Sequence, residues 1–172
     1  MTGDYLHARR SSVDRAGPIE IDIMPMLESD MDPVLAIEAA SFSTPWSRSM
    51  FENELKHNPY SNLFVAREQG NKSALGGLIG YVCFWVILDE LHLLNLSIHP
   101  AFRRRGFGEQ LARFVLQFGR GKGAQKASLE VRAGNKPAIG LYEKIGFKVA
   151  AIRPGYYREP REDALIMTLE GW

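Results

Sequence analysis

Leu91-His-Leu-Leu-Asn-Leu-Ser-Ile98-His-Pro-Ala-Phe-Arg103-Arg-Arg-Gly-Phe-Gly108-Glu-Gln-Leu-Ala-Arg-Phe-Val-Leu-Gln-Phe118 is the stretch that decides the fold. Its first part, Leu91 to Ile98, is mostly apolar and lies between Asp89–Glu90 and His99–Pro100, which predicts a strand. Its last part repeats apolar residues at Leu111, Phe114, Val115 and Phe118, the i, i+3, i+4, i+7 spacing of an amphipathic helix. Between them stand three arginines and two glycines. A helix start has unsatisfied N–H groups and the positive end of the dipole, so it suits phosphate oxygens. Gly106 and Gly108 let the backbone approach an anion closely, and Arg103, Arg104 and Arg105 add charge around it. Two better-known phosphate loops are excluded. A dinucleotide fingerprint needs a third glycine where Leu111 stands, and no Gly-Lys-Ser/Thr string exists for a P-loop. Gly119-Arg-Gly-Lys-Gly123 only imitates the composition. By itself the loop also fits an ordinary strand-to-helix turn.

The charge pattern bears on the same stretch. The 172-residue chain has 21 Lys+Arg against 20 Asp+Glu, a net charge of +1. Residues 101–126 hold seven basic side chains against Glu109 alone, so this segment is +6 and the remainder −5. A neutral chain with one basic segment suggests an anionic ligand held locally, and it argues against a dedicated nucleic-acid binder. A solvated helix face gives the same charge count. Composition is that of a globular protein, 45% hydrophobic and 24% charged, which excludes wholesale disorder, collagen and coiled coil. The single Cys83 lies in an apolar strand and reads as a buried, inert thiol; no internal disulfide is possible. The four histidines show no metal-ligand spacing, so no metal is expected. The longest apolar run, Gly76 to Leu88, is too short to cross a bilayer. Residues 1–18 are polar with no apolar stretch behind them, which predicts a flexible arm, no secretory signal and a cytoplasmic location.

Working outward, Ile19, Ile21 and Ile23 alternate with polar residues as a half-buried strand. Asp30 or Asp32 before Pro33 starts a helix with Val34, Ile37 and Phe42 on its inner face. Ser47 caps a second helix, with Trp46 and Phe51 as a hydrophobic staple, and Asn58–Pro59 ends it. Strands follow at 62–67, 77–86 and 91–98, joined by turns short enough for antiparallel hairpins. After the basic loop and its helix come a strand at 127–131 and a helix capped by Asn135. That helix carries Ala138, Leu141, Tyr142 and Ile145 inward and stops at Gly146. Strands at 147–152 and 164–169 close the chain. The order β-α-α-β-β-β-α-β-α-β-β predicts an α/β (α+β) fold, with a mixed, mostly antiparallel sheet of about seven strands and about four helices. Residues 19–172 form its single domain.

Arg103-x-x-Gly106-x-Gly108 after Leu94-Asn-Leu-Ser-Ile98 resembles the acyl-CoA-binding signature of the GNAT N-acetyltransferases. Leu129-Glu-Val-Arg-Ala-Gly-Asn135 and Ala138-x-x-Leu141-Tyr142-x-x-x-Gly146-Phe147 look like that family's second half. Phe42-Ser-Thr-Pro-Trp-Ser47, with Tyr156-Tyr157 followed by Glu162-Asp-Ala164, is similar to the RimI branch, the ribosomal-protein-alanine N-acetyltransferases. The similarity covers about residues 19–169. It implies acetyl-CoA as cosubstrate, with Leu96, Ser97 and Ile98 offering backbone groups to pantetheine. Arg104, Arg105, Gly106, Phe107, Gly108 and Glu109 would cradle the pyrophosphate, with Arg103 also binding the cofactor, and Asn135 would contact the cofactor beyond it. Glu130 would be the general base and Tyr142 the general acid. Trp46, Tyr156 and Tyr157 would border the acceptor, with Glu162 or Asp163 meeting basic residues further along.

Attack of an amine on a thioester needs a neutral amine and a proton for the departing thiolate. At pH 7, neutralising an α-amine with a pKa near 8 costs roughly 1.4 kcal/mol, against about 4.6 for a lysine near 10.4. A protein N-terminus is the easier nucleophile, in keeping with the RimI resemblance. The expected partner is therefore a protein N-terminus, of a ribosomal protein, with no nucleic acid and no membrane. Two other functions use the same residues: acetylation of a small amine, and acyl-CoA binding without catalysis. Glu130 paired with Arg132 or Lys126, Tyr142 as packing and Asn135 as a helix cap are the plain structural alternatives.

Overall fold

The computed structural model describes residues 20–70 and 77–172. The expected 1–18 arm lies outside these, as do Ile19 and the end of the Gln69–Asn71 turn. Seven strands form one sheet: β1 (Ile21–Pro25), β2 (Ser61–Glu68), β3 (Leu78–Ile87), β4 (Glu90–Ile98), β5 (Lys126–Arg132), β6 (Lys148–Arg158) and β7 (Arg161–Glu170). The helices are α1 (Met31–Ala39), α2 (Arg48–Lys56), α3 (Phe107–Gly121) and α4 (Lys136–Lys144). The strand order is β1-β2-β3-β4-β5-β7-β6. Only β4 and β5 run parallel; every other pair is antiparallel. This is the mixed sheet that the sequence predicts. Among the described residues, no helix is long and apolar enough to cross a membrane.

Local signals account for most boundaries. The Ser47 hydroxyl accepts the Met50 N–H at 3.3 Å, and the Trp46 and Phe51 rings meet at 5.3 Å as the staple requires. Asn135 caps α4 by accepting the Ala138 N–H at 3.3 Å. α1 starts at Met31, as Asp30 or Asp32 before Pro33 predicts, and the buried Asp30 carboxylate accepts the Leu27 N–H and pairs with Arg67, because a buried charge requires a partner. Two expectations are corrected. On α4 the fully buried residues are Ile139 and Tyr142, with Ala138, Leu141 and Ile145 only partly covered. β6 and β7 are longer than 147–152 and 164–169, and they meet at a tight turn at Glu159–Pro160. Most of β6 is exposed at the sheet edge, so hydrophobic alternation could not reveal its length.

The sheet is covered unequally on its two faces. On one face, Leu111 and Val115 of α3 and Tyr142 of α4 pack on Leu91, Leu93, Leu129 and Met167. Phe64, Phe84, Phe114 and Phe118 form an aromatic cluster there, with ring centroids 4.8 to 6.1 Å apart. On the other face, Val34 and Ile37 of α1 and Phe51 of α2 close on Val65, Tyr81 and Cys83.

The joint between β4 and β5 sets up the site. They pair over only four residues each, from Glu90↔Lys126 to Leu93↔Leu129. At that point β4 carries a bulge against β3. Phe84 faces Leu93 while Cys83 faces Asn95, so Leu94 is the extra residue. A bulge bends its strand and increases the twist. Leu94 and Asn95 both turn toward α1 and α2, and β4 leaves β5.

Glu38 anchors the bulge. It is 1% exposed, and its carboxylate accepts the Tyr81 hydroxyl, the Trp46 N–H at 2.7 Å and the Asn95 amide at 3.3 Å. Burial, then the charge of Glu38, holds the Tyr81 phenol well above its ordinary pKa. One carboxylate thus ties α1, β3, the β4 bulge and the α1–α2 loop. Glu38→Ala leaves the buried Tyr81 and Asn95 donors and the partly buried Trp46 N–H without their acceptor. The expected loss, read from urea unfolding, is about 3 kcal/mol or more.

Candidate active site

Where β4 and β5 part, β4 keeps its pairing to β3 through Ile98 but, among the described residues, has no strand partner on its other edge after Leu93. The backbone of Leu94 to Ile98 therefore borders a wedge whose far side is Glu130, Val131 and Arg132 of β5. The 3-10 turn at Pro100–Phe102 follows, started by His99, whose Nδ1 accepts the Ala101 N–H at 3.2 Å. His99–Pro100, which bounds the predicted strand in the sequence, thus begins a turn. Arg104 and Gly106 both take left-handed backbone conformations, φ +62° and +84°, and α3 begins at Phe107. A Cβ added at Gly106 would meet no atom within 4 Å, so this turn faces open space. Successive N–H groups in such a turn and at a helix start make an anion-binding concavity. An extended, amide-bearing chain fits the wedge edge and a pyrophosphate fits the α3 start. The residues present therefore suit an acyl-CoA.

The side chains of the loop divide their work. Phe107 is buried in the core, so it offers an anion its N–H alone. Arg103 turns back: its Nε donates to the Ile98 carbonyl at 2.9 Å and its Nη2 to Ser41 Oγ at 2.8 Å. Ser41 also receives the Ser97 hydroxyl at 2.7 Å, so Ser97 braces the strand. Leu96 is half-buried on the α3 face, and Ile98 is buried there. Arg104 and Arg105 are exposed, with Arg105 5.5 Å from the Phe102 ring centroid. Glu109 accepts Lys144 at 2.6 Å and Arg113 at 2.9 Å, and these bonds, Lys144 first, hold its carboxyl below the usual range. Gly108 has a packing reason: a Cβ there would lie 3.1 Å from Leu141 Cδ1 of α4. The α4 cap occupies Asn135 Oδ1, so a cofactor contact falls to its Nδ2 group.

Across the wedge, Glu130 and Arg132 share one face of β5, as strand alternation dictates. The Glu130 side chain is 37% exposed and accepts Arg153 Nη1 at 3.3 Å. Arg153 stacks on Tyr156, 5.0 Å from its centroid. Tyr142 is almost wholly buried, its ring 5.8 Å from Phe147, and burial, then Tyr157, raises its phenol above the ordinary tyrosine value. Tyr157 is pushed up to about 12, first by burial and then by Tyr156, with Glu130 adding to it and Arg132 opposing. Tyr157 is thus coupled electrostatically to both Glu130 and Tyr142. Tyr156 and Tyr157 lie within β6, their rings 5.1 Å apart.

Trp46 sits between its staple to Phe51 and an open cavity of about 340 Å³, also bordered by Met50, Trp85 and Leu94. Glu162 and Asp163 are already engaged: Glu162 pairs with Arg132 at 3.2 Å and accepts the Gly134 N–H, and Asp163 accepts the Gly155 N–H at 2.8 Å. They serve the β6–β7 hairpin first. Cys83 is fully buried, its thiol pushed up to about 12 by burial. Three residues here escaped the sequence reading as site elements: Glu38, Arg132 and Arg153. A signal existed for the first, since Glu38 falls four residues after Val34 on the inward stripe of α1. Arg132 lies two residues after Glu130, hence on the same face of the strand.

Residues 31–147 match the model of the acetyltransferase (GNAT) family. The chain belongs to this family. It is 41% identical over 138 residues to a Bacillus subtilis (strain 168) protein described as a candidate ribosomal protein bS18-alanine N-acetyltransferase; the match covers 80% of this chain and 87% of that protein. It is 33% identical over 143 residues to the Escherichia coli (strain K12) ribosomal protein bS18-alanine N-acetyltransferase, covering 82% and 91%. The crystal structure of the Escherichia coli ribosomal-protein-S18-alanine N-acetyltransferase superposes with a TM-score of 0.78 at 30% identity, covering 88% and 94%. These matches bear out the RimI-like resemblance. As a GNAT enzyme the protein is an acyltransferase whose cosubstrate is acetyl-CoA.

The loop geometry yields a test in this GNAT. Gly106→Val places a β-branched residue at φ +84°, where only glycine is unstrained. Calorimetry is expected to show acetyl-CoA affinity reduced at least ~10-fold, the scale of about 1.4 kcal/mol. Unchanged affinity would place the pyrophosphate elsewhere.

Proposed function

We propose that residues 19–172 act as one acetyltransferase domain that carries acetyl from acetyl-CoA to the N-terminal alanine amine of a ribosomal protein. The protein named in the descriptions of the Bacillus and Escherichia relatives, bS18, is the leading acceptor. The cytoplasm, where ribosomes are, is the corresponding location. One observation carries the reading: β4 and β5 part after Leu93 and Leu129, which leaves Glu130, the next residue of β5, at the edge of the wedge. Acetyl-CoA supplies the activated thioester.

The rest is work for the side chains. Glu130, half open to solvent, accepts the ammonium proton through water, and its ion pair with Arg153 keeps it fixed on β5. An α-amine needs only this modest help, because its pKa lies near neutrality. Tyr142 holds its proton at neutral pH, because burial disfavours the phenolate, so its hydroxyl can hydrogen-bond the departing sulfur. Trp46 on one side and Tyr156–Tyr157 on the other bound the slot through which the peptide reaches Glu130.

Incubation with acetyl-CoA and an Ala-starting peptide, followed by intact-mass analysis, is expected to show one added acetyl on the N-terminus. Acetylation of small amines with none of the peptide would favour the small-amine alternative, and CoA binding without product the silent one. Glu130→Gln and Tyr142→Phe should retain acetyl-CoA affinity and lower kcat at least ~100-fold. Near-parental kcat with chemistry limiting would remove both roles. In the pH profile, kcat/KM rises through about pH 8 as the acceptor amine loses its proton. Because the Tyr142 pKa is raised, its alkaline fall lies above the ordinary tyrosine value of about 10. An alkaline limb below that value would show that Tyr142 is not the acid.

A further inference from the structure

We infer that Ser128 and His92 form a proton relay that draws the acceptor's proton off Glu130 and down the face of the sheet opposite α3. This deepens the acetyl-transfer reading above and rests on it. His92 and Ser128 are register partners across β4 and β5, one step before the last pair, Leu93 and Leu129. Leu93 and Leu129 point into the α3 core, so His92 and Ser128 lie on the opposite face. Glu130, two residues after Ser128, shares that face. The Ser128 hydroxyl stands 3.0 Å from His92 Nδ1, and Glu90 Oε2 lies 3.3 Å from His92 Nε2. The His92 side chain is 36% exposed and that of Glu90 49%, so the line runs from the wedge out to solvent. The other charged groups of this face stand around it. Lys126 is the register partner of Glu90, Arg153 holds Glu130, and Glu54 accepts the indole N–H of Trp85, which faces His92 from β3.

The two partners of the ring set the direction of transfer. A carboxylate only accepts, so Glu90 keeps the proton of the neutral ring on Nε2, and Nδ1 accepts from the Ser128 O–H. The Ser128 oxygen then has a lone pair for an incoming proton. Residues two apart on a strand stand about 6.6 Å from each other, a span that one bridging water closes between Glu130 and Ser128. The proton balance is complete. An N–H bond of the acceptor ammonium breaks, its electron pair stays on nitrogen as the nucleophile, and the proton passes through Glu130 to the Ser128 oxygen. Ser128 gives its own proton to Nδ1. Glu130 and Ser128 return to their starting forms, and the ring becomes an imidazolium beside Glu90 that later yields a proton to water. Ordinary acidities favour this route: an α-ammonium near 8 lies about 3.7 pH units above a carboxyl near 4.3, but only about 1.5 above an imidazole near 6.5. A carboxylate alone is a poor resting place for the proton. With a relay beside it, Glu130 holds the proton only in passing. Ser128 and His92 reach the reaction through Glu130 alone, so they are positioning residues for the proton.

The relay is tested first without turnover. Nitrogen-15 NMR of the full chain, with the His92 signals assigned by their loss in His92→Gln, is expected to show the neutral ring protonated at Nε2. A neutral ring protonated at Nδ1 overturns the proposal, because Ser128 would then be its acceptor. Kinetics follow, with acetyl-CoA and an Ala-starting peptide under conditions where chemistry limits turnover. Wild-type acetylation of that peptide checks the functional reading; failure there counts against that reading, and the NMR result still judges the relay. His92→Gln and Ser128→Ala are each expected to lower kcat ~10-fold or more with both KM values unchanged. Ser128→Thr, which keeps the hydroxyl on a residue suited to a strand, should restore kcat. In the Glu130→Gln background the same changes should cost about two-fold at most, since the three residues act as a unit. External imidazole should recover part of kcat in His92→Ala and leave the wild type unchanged. A merely structural pair would instead lower the melting temperature and give losses that multiply with that of Glu130→Gln. Such multiplying losses, unrecovered by Ser128→Thr or imidazole, overturn the proposal, as does parental kcat in both His92→Gln and Ser128→Ala. If His92→Gln fails to fold, Ser128→Ala and Ser128→Thr decide it.

Discussion

The parallel pairing of β4 with β5 stops after four residues, and the rest of the structure depends on that stop. Continued pairing would consume the β4 edge in hydrogen bonds to β5 and leave no room for an acyl-CoA. The bulge at Leu94 prevents it by turning two successive side chains to the same face. Glu38 makes the bend durable, because its buried carboxylate is satisfied only with Asn95, Tyr81 and Trp46 in place. The same carboxylate fixes the loop that carries Trp46. The bend of β4 and the loop that carries Trp46 thus share one buried anchor.

Electrostatics refine the picture that the charge count suggests. The basic segment 101–126 is +6, yet its charges do different things. Arg103 braces the end of β4, and Arg113 neutralises Glu109. Arg104 and Arg105 remain exposed beside the α3 start, where dipole and N–H groups already favour an anion. Beside β6, Arg132 and Arg153 are fastened to Glu162 and Glu130 and lie over Tyr157 and Tyr156. The excess acid of the remaining chain is thus partly internal, held in ion pairs.

Much of this was legible in the sequence because it is local. The α3 stripe, the Ser47 and Asn135 caps, the Trp46–Phe51 staple and the hairpins follow from periodicity and capping within a few residues. The basic loop stood out because charge, glycine and position between strand and helix coincide. What stayed hidden depends on contacts remote in sequence. Glu38 meets Asn95 across 57 positions and Arg132 meets Ser43 across 89. The length of β6 was hidden for a different reason, since an exposed edge strand needs no apolar alternation. Gly108, which the sequence reads as room for an anion, leaves room for Leu141 of α4, a packing demand that no local pattern reveals.

The central claim is that the gap between β4 and β5, with the turn at Arg104–Phe107, holds the cosubstrate. Amide hydrogen exchange with and without acetyl-CoA reads it directly. Slower exchange concentrated in residues 94–98 and 106–109 is the expected result. Exchange there that acetyl-CoA leaves unchanged, with protection appearing on another part of the sheet, would contradict it.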